Sequence, residues 1–88
     1  MRLAGSEHVI LQLLASGDRA YGLELVERSR GRLKRGGIYV TLGRMEEKGL
    51  VASAEGDGGR RLYRLTALGQ RALMAATLVA PPLLRADT

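Results

Sequence analysis

The sequence predicts a mainly α-helical domain of the α+β class, in the order helix, helix, helix, β-hairpin, helix. Three observations support this prediction. Apolar residues recur at helical spacing in four segments, a glycine-rich turn separates two short candidate strands, and 88 residues are enough for one domain. We expect residues 1–80 to form this domain and residues 81–88 to be a flexible tail, because Pro81 and Pro82 end any helix.

The first two helices are bounded by residues that favour helix ends. Ser6 is the expected N-cap of the first helix, and the apolar stripe that starts at Ile10 is ended by the Ser-Gly-Asp at residues 16–18. A second helix is predicted over residues 20–29. In the short segment that follows it, Leu33 is the one candidate for the core, and this segment forms either a brief strand or a turn.

A third helix is predicted over residues 36–48. Ile38, Leu42 and Met45 recur there at helical spacing and define a buried stripe. The opposite side has one large apolar side chain, Val40, and is otherwise small, polar or charged. We therefore expect this opposite side to face solvent.

A β-hairpin and a fourth helix follow. Residues 50–54 and 60–65 are the predicted strands, and Gly-Asp-Gly-Gly at 56–59 is a strong turn signal. Thr66 is the expected N-cap of the fourth helix, which is predicted to run to about residue 79. Its apolar stripe consists of Leu68, Ala72, Ala75, Ala76 and Val79.

The composition excludes most kinds of catalytic and metal site. The chain has a net charge of +5, no cysteine and one histidine. A thiolate metal site is therefore impossible, a single histidine leaves little for imidazole ligation, and no residue pair resembles a nucleophile with its base. No segment has the length of a membrane span or the pattern of a targeting signal. We expect a cytoplasmic protein with no catalytic residue, cofactor, metal or membrane partner.

Basic residues are concentrated in two stretches without acidic residues. Six lie from Arg28 to Arg44, and four lie from Gly58 to Arg71. The carboxylates lie outside these two stretches. This distribution is typical of a surface that contacts phosphates, although ordinary solvated arginines would give the same composition.

Three short helices followed by a basic hairpin form the winged helix-turn-helix arrangement, in which one helix enters the major groove of DNA. Here that helix is the third, because glycines at its start allow a close approach and its N-terminus favours phosphate oxygens. The hairpin tip, or wing, would contact the DNA backbone or the minor groove. The candidate DNA-binding residues are Tyr21, Lys34, Arg35, Gly36, Gly37, Tyr39, Val40, Thr41, Arg44, Arg60 and Arg61.

Four of these candidates have a second interpretation. Arg60 and Arg61 contact DNA from the wing, which the hairpin pattern favours, or they are solvated turn charges. Tyr39 contacts a phosphate or base through its hydroxyl, or it packs at the edge of the third helix's apolar stripe. Tyr21 contacts a phosphate near the start of the second helix, or it packs in the core. For both tyrosines the sequence leaves the alternatives open.

In three segments the sequence resembles the PadR-like transcriptional regulators. These segments are ILQLLASGDRAYGLELVERS at 10–29, LKRGGIYVTLGRMEEKGLV at 33–51 and GGRRLYRLTALGQRAL at 58–73. In that family the first holds two scaffold helices, the second holds the recognition helix, and the third holds the wing strand and the start of the next helix. The resemblance implies a DNA-binding transcriptional regulator, more often a repressor.

The sequence also departs from the family pattern. Val40 stands where many members have proline and Gly37 where threonine is common, so the resemblance implies no base preference. Many members have a long C-terminal helical domain for dimerisation, whereas this chain ends soon after one helix. Small residues allow close helix packing, so we predict a two-fold contact through the fourth helix, alone or with the first. Leu68, Ala72, Ala75, Ala76 and Val79 are its predicted residues.

The predicted partners are therefore a second copy of the chain and a pseudo-palindromic site in double-stranded DNA. Some relatives bind planar drugs at the dimer centre by stacking on aromatic side chains. This sequence has no Trp or Phe and its three Tyr lie outside the fourth helix, so it gives no support to a small-molecule effector. The alternatives to DNA binding are a winged-helix adaptor that docks an acidic protein and, without any catalytic pair to support it, a small enzyme.

Overall fold

The computed structural model describes the backbone of residues 3–79 and the side chains of residues 3–76. The fold class and the element order predicted from the sequence are confirmed, with one additional strand. The predicted tail at residues 81–88 lies outside the described residues. The elements are α1 (Gly5–Ser16), β1 (Ala20–Tyr21), α2 (Gly22–Arg28), α3 (Ile38–Glu47), β2 (Val51–Glu55), β3 (Arg61–Leu65) and α4 (Ala67–Val79).

The sheet has three antiparallel strands in the order β1-β3-β2, instead of the two predicted. The additional strand β1 pairs Ala20 with Tyr63 and Tyr21 with Leu62. The prediction that a helix begins at Ala20 was therefore wrong, and α2 begins at Gly22. A strand of two residues is too short to show the alternation by which strands are predicted. Strand β1 forms because the edge of β3 is free to pair with it.

The N-termini of α1 and α3 also differ from the predicted ones. Ser6 lies inside α1, and Ala4 is the N-cap, whose N–H donates to Glu7 Oε1 at 3.0 Å. A glutamate at the third helical position can satisfy this amide without a capping hydroxyl. The third helix begins at Ile38, not residue 36, because Gly37 is its N-cap and glycine has low helix propensity.

The core contains the apolar residues that the periodicity selected. Ile10 of α1, Leu33 of the turn before α3, and the α3 stripe are all buried, and Tyr63 of β3 completes the contact with the sheet. The hydroxyl of Ser29 accepts a hydrogen bond from the N–H of Leu33 at 2.9 Å and thereby holds that turn. The α3 stripe that turns inward is Ile38, Leu42 and Met45.

Helix α4 is fixed to the domain at its start. The hydroxyl of Thr66 accepts the N–H of Gly69 at 2.9 Å and lies 2.6 Å from the carbonyl oxygen of Gly49, which confirms Thr66 as a cap. A Cβ at Gly69 would collide with the carbonyl oxygen of Leu50, so glycine allows this close approach. The start of α4 is therefore held against the segment that joins α3 to β2.

The predicted dimer stripe on α4 is divided between the core and solvent. Ala72 packs against the core, and Ala76 is half-buried. Leu68 and Ala75 are exposed, as is Met74, which the prediction omitted. The side chain of Val79 lies outside the described residues.

The described residues offer neither a membrane span nor a metal cluster. None of their helices is both long and apolar enough to cross a bilayer. No three of their His, Asp or Glu side chains are grouped so that they could hold a metal ion.

Candidate nucleic-acid interface

The outward face of α3 is open, as the sequence predicted. Val40 is 59% exposed and Tyr39 is 52% exposed. Arg44, one turn after Val40, is also exposed, and no described carboxylate forms an ion pair with it. Thr41 is half-buried, and its hydroxyl donates to the carbonyl oxygen of Gly37 at 3.1 Å. The face therefore presents apolar, cationic and hydroxyl-bearing groups together.

The segment that leads into α3 adds positive charge beside this face. Lys34, Arg35, Gly36 and Gly37 are all exposed, and neither cation pairs with a carboxylate among the described residues. The N–H of Gly37 donates to the carbonyl oxygen of Lys34 at 3.2 Å, which closes the turn. Two unpaired cations thus lie next to the N-terminus of α3, where an anion is favoured.

Tyr39 packs against the start of α2, while its contact with a phosphate or base stays a prediction. Its ring lies over Gly22 at the start of α2, where a Cβ would be 2.7 Å from Tyr39 Cε1. About half of the side chain nevertheless remains exposed. The ring thus packs between α3 and the start of α2, and part of its surface remains exposed to solvent.

Tyr21, the N-cap of α2, connects this helix to the wing. Its hydroxyl accepts the N–H of Asp57 at 2.9 Å, and its ring lies 4.0 Å below the guanidinium carbon of Arg60. A Cβ at Gly56 would be 2.6 Å from the Tyr21 hydroxyl oxygen, so the ring lies directly on the wing backbone. A phenol that accepts one hydrogen bond can still donate its own proton. Tyr21 therefore packs on the wing and not in the core, and its contact with a phosphate stays a prediction.

Arg61 belongs to a hydrogen-bond chain that links the wing to α3. Its Nη2 donates to Ser53 Oγ at 2.9 Å, across the β2–β3 pair. Ser53 Oγ in turn donates to Glu46 Oε2 at 2.8 Å. Sequence reasoning missed Ser53 and Glu46, and only the alternation of the hairpin strands could have placed Ser53 on the same side as Arg61.

The C-terminal end of α3 is held by an ion pair with α1. Lys48 Nζ lies 2.8 Å from Oε2 of the buried Glu7. Burial alone would raise the pKa of Glu7, but the hydrogen bonds from Lys48 and the N–H of Ala4, with the charges of Lys48 and Arg44, lower it overall. The carboxylate therefore stays ionised and fixes the far end of α3.

Comparisons with known proteins agree with this geometry. The chain matches the transcriptional regulator PadR-like family over residues 10–75. It is similar to the crystal structure of a PadR family transcription regulator from Clostridium difficile R20291, with 31% identity, a TM-score of 0.76 and 91% of each chain covered. A PadR family regulator from Eggerthella lenta DSM 2243 is 28% identical, with a TM-score of 0.77 over 93% of this chain and 77% of that one.

RosR from H. salinarum is also similar, with 28% identity and a TM-score of 0.82 over 98% of this chain and 81% of that one. No curated protein sequence gives a significant match. The family match spans α2, α3, the wing and most of α1 and α4. This chain therefore belongs to the PadR-like family of DNA-binding transcriptional regulators.

Proposed function

We propose that the protein binds specific sites in double-stranded DNA as a homodimer and represses transcription. The open outward face of α3 is the observation on which this proposal depends. The major groove of B-DNA admits an α-helix, and exposed residues such as Val40 and Arg44 are within reach of base edges there. Lys34 and Arg35 then lie over phosphates at the start of the helix.

The wing supplies the second contact in this proposal. Arg60 and Arg61 are exposed at the hairpin tip, beside the left-handed glycines Gly58 and Gly59. Guanidinium groups at this position contact phosphates or enter the minor groove. Contacts of this kind orient the protein and add affinity on every DNA sequence.

The exposed side of α4 is the proposed contact between two copies. Met74 is 57% exposed and Leu68 is 37% exposed, and the small residue Ala75 lies exposed between Met74 and the half-buried Ala76. Val79 stays a predicted member of this contact, whereas Ala72, which packs against the core, supports it from behind. A two-fold axis through it would present two α3 helices to successive major grooves about 34 Å apart, which requires a pseudo-palindromic site.

Repression is the simpler sign of regulation for such a dimer. A bound dimer excludes polymerase from a promoter by occupying it, whereas activation requires an additional surface that recruits polymerase. Transcription in vitro from a template that carries the bound site should decrease as the protein is added. An increase in transcript would contradict the proposed sign.

A salt titration tests the DNA contact. Binding to a duplex selected from a random library should weaken linearly in a plot of log affinity against log salt, with about 0.9 of slope for each phosphate contacted. Replacing Arg60 and Arg61 with Ala should lower affinity on every sequence and reduce that slope by about 3.6, because the proposed dimer loses two phosphate contacts in each subunit. The matched control is Arg19→Ala, an exposed arginine between α1 and β1 outside the proposed DNA and dimer contacts, which should leave the slope unchanged.

Two results would contradict this assignment. An unchanged slope in the Arg60 and Arg61 variant would remove the wing from the interface. Failure to select any duplex, together with tight binding to an acidic protein, would identify a winged-helix adaptor instead.

The mass in solution tests the dimer. One chain has a mass of 9.5 kDa, and light scattering should give twice that value. Ala75→Glu, which places a charge in the proposed contact, should reduce the mass to that of one chain, because an unpaired buried charge is costly. Ala54→Glu, the same substitution at an exposed alanine of β2, should remain dimeric. A dimeric Ala75→Glu variant would place the contact elsewhere.

A further inference from the structure

Gly43 lies in the middle of α3, on its exposed face, and no contact with the described residues requires a glycine there. A Cβ at this position would meet no atom within 4 Å, and the residue is in the interior of a regular helix. Glycine destabilises a helix interior relative to alanine. The described residues thus give no packing or backbone reason for this glycine, which points to a close approach from outside the chain.

Val40 borders the same position. Residues three apart are neighbours on a helix surface, so Val40 and Gly43 are adjacent on the outward face. Val40 is the most exposed large apolar residue of α3, and a β-branched residue loses side-chain freedom in a helix. Two residues that weaken the helix thus form a shallow recess with one apolar wall, which we call the Val40–Gly43 notch.

We propose that the Val40–Gly43 notch recognises a thymine through its C5-methyl group. This inference rests on the proposed function, because it requires α3 in the major groove. Thymine is the base that presents an apolar group in that groove, whereas the other bases present hydrogen-bond donors and acceptors alone. The side chain of Val40 contacts the methyl group, and the missing Cβ at Gly43 lets the base edge approach the helix.

The neighbouring side chains favour a base over a phosphate as the occupant. Valine can neither donate a hydrogen bond nor neutralise a charge, so a phosphate gains nothing from Val40. Arg44, next to Gly43 on the helix, supplies the positive charge of this surface and keeps Val40 close to the DNA. An apolar group between cations is suited to the methyl group of a base that lies on the groove floor.

Replacement of thymine by deoxyuridine tests this contact, because the two bases pair identically and differ by the one methyl group. A duplex is first selected with the intact protein from a random library, and each thymine of one half-site is then replaced singly by deoxyuridine. At one position we expect the Kd to rise about fourfold, which corresponds to the burial of one methyl group. In Val40→Ala the ratio of the two Kd values at that position should fall towards 1.

Gly43→Ala separates a role in binding from a role in folding. Since a Cβ has open space in the free protein, the midpoint of thermal unfolding should rise. Affinity for the selected duplex should nevertheless fall by roughly tenfold or more, because the added methyl group occupies the notch. The matched control for Val40→Ala is Leu23→Ala, which truncates an exposed apolar residue on α2. Leu23→Ala should keep the fourfold ratio of Kd values between the deoxyuridine and thymine duplexes.

The outcomes distinguish this inference from the proposed function. A selected duplex that shows no deoxyuridine effect at any thymine overturns the notch and leaves specific DNA binding intact. Unchanged affinity in Gly43→Ala also overturns the notch. If no duplex is selected, both the notch and the proposed function are wrong.

Discussion

The outward face of α3 and the wing carry similar cations in different states. The guanidinium group of Arg44 on α3 makes no side-chain hydrogen bond or salt bridge with the described residues. On the wing, Arg60 lies over the ring of Tyr21, and Arg61 donates to Ser53. Ordering a free arginine side chain costs up to about 2 kcal/mol. The side chains of Arg60 and Arg61 are therefore held in place before DNA binds, whereas that of Arg44 must be ordered on binding.

This difference suggests a division of roles. Groups that are already held in place approach DNA in one fixed geometry and suit the regular phosphate backbone. Groups that remain free can adjust to individual base edges and are ordered only where the bases fit. Substitutions on the outward face of α3 should therefore change specificity with little effect on stability, whereas substitutions at the base of the wing should change both.

The largest effect is expected at Arg44. Arg44→Ala should lower affinity for a selected duplex by about 1–3 kcal/mol, or roughly 5–150-fold, if its guanidinium group reads a base. Affinity for random DNA should fall much less. Fluorescence anisotropy on both duplexes measures the two effects, and thermal unfolding should be nearly unchanged. Equal losses on both duplexes would place Arg44 on a phosphate and weaken the comparison.

The next largest effect is expected at Gly56, where the wing meets Tyr21. A Cβ in Gly56→Ala would be 2.6 Å from the Tyr21 hydroxyl oxygen, so the ring must move and its contacts with Asp57 and Arg60 are lost. We expect destabilisation of about 1–2 kcal/mol in denaturant unfolding, with weaker binding on all DNA. Gly5→Ala is the control, because a Cβ there meets no atom of the described residues within 4 Å and should be tolerated. If Gly56→Ala is as stable as the native protein, the contact between Tyr21 and the wing does not stabilise the fold.

A smaller change isolates the hydroxyl of Tyr21. Tyr21→Phe retains the ring below Arg60 and removes the acceptor for the Asp57 N–H. The loss should be about 0.5–1 kcal/mol, because the Asp57 N–H is exposed and water can replace the hydroxyl. Denaturant unfolding measures this loss. DNA affinity should fall further only if the hydroxyl also donates to a phosphate, and an unchanged affinity would limit Tyr21 to a structural role.

The smallest effect concerns the ion pair behind α3. Because the pKa of Glu7 is lowered in the folded protein, the pair stabilises the fold above the pKa of the unfolded carboxyl. This contribution is lost as pH falls through the lower pKa of the folded state. Glu7→Gln should therefore reduce stability near pH 7 by less than about 1 kcal/mol, since Lys48 is partly exposed, and the difference should disappear in acid. A constant difference at all pH values would contradict the pair's role.

Helical periodicity and capping residues made most of the fold predictable. The inward stripe Ile38, Leu42 and Met45 and the cap Thr66 were identified correctly, because these signals depend on residues within one or two turns. Ser6 was wrongly assigned as a cap for the same reason, since the preference for serine did not take the competing Glu7 into account. Exposure of Val40 and Arg44 was also predictable, because it is the complement of the buried stripe.

The sequence alone therefore determined the helices, the hairpin, the open cationic face of α3 and the family to which the chain belongs. Only the tertiary structure decided that residues 20–21 form a strand, that Tyr21 lies under Arg60, and that Arg61 reaches Glu46 through Ser53. These contacts join residues 7 to 43 positions apart in the chain. Their geometry is set by strand register and by packing between elements, and neither quantity is encoded in local spacing.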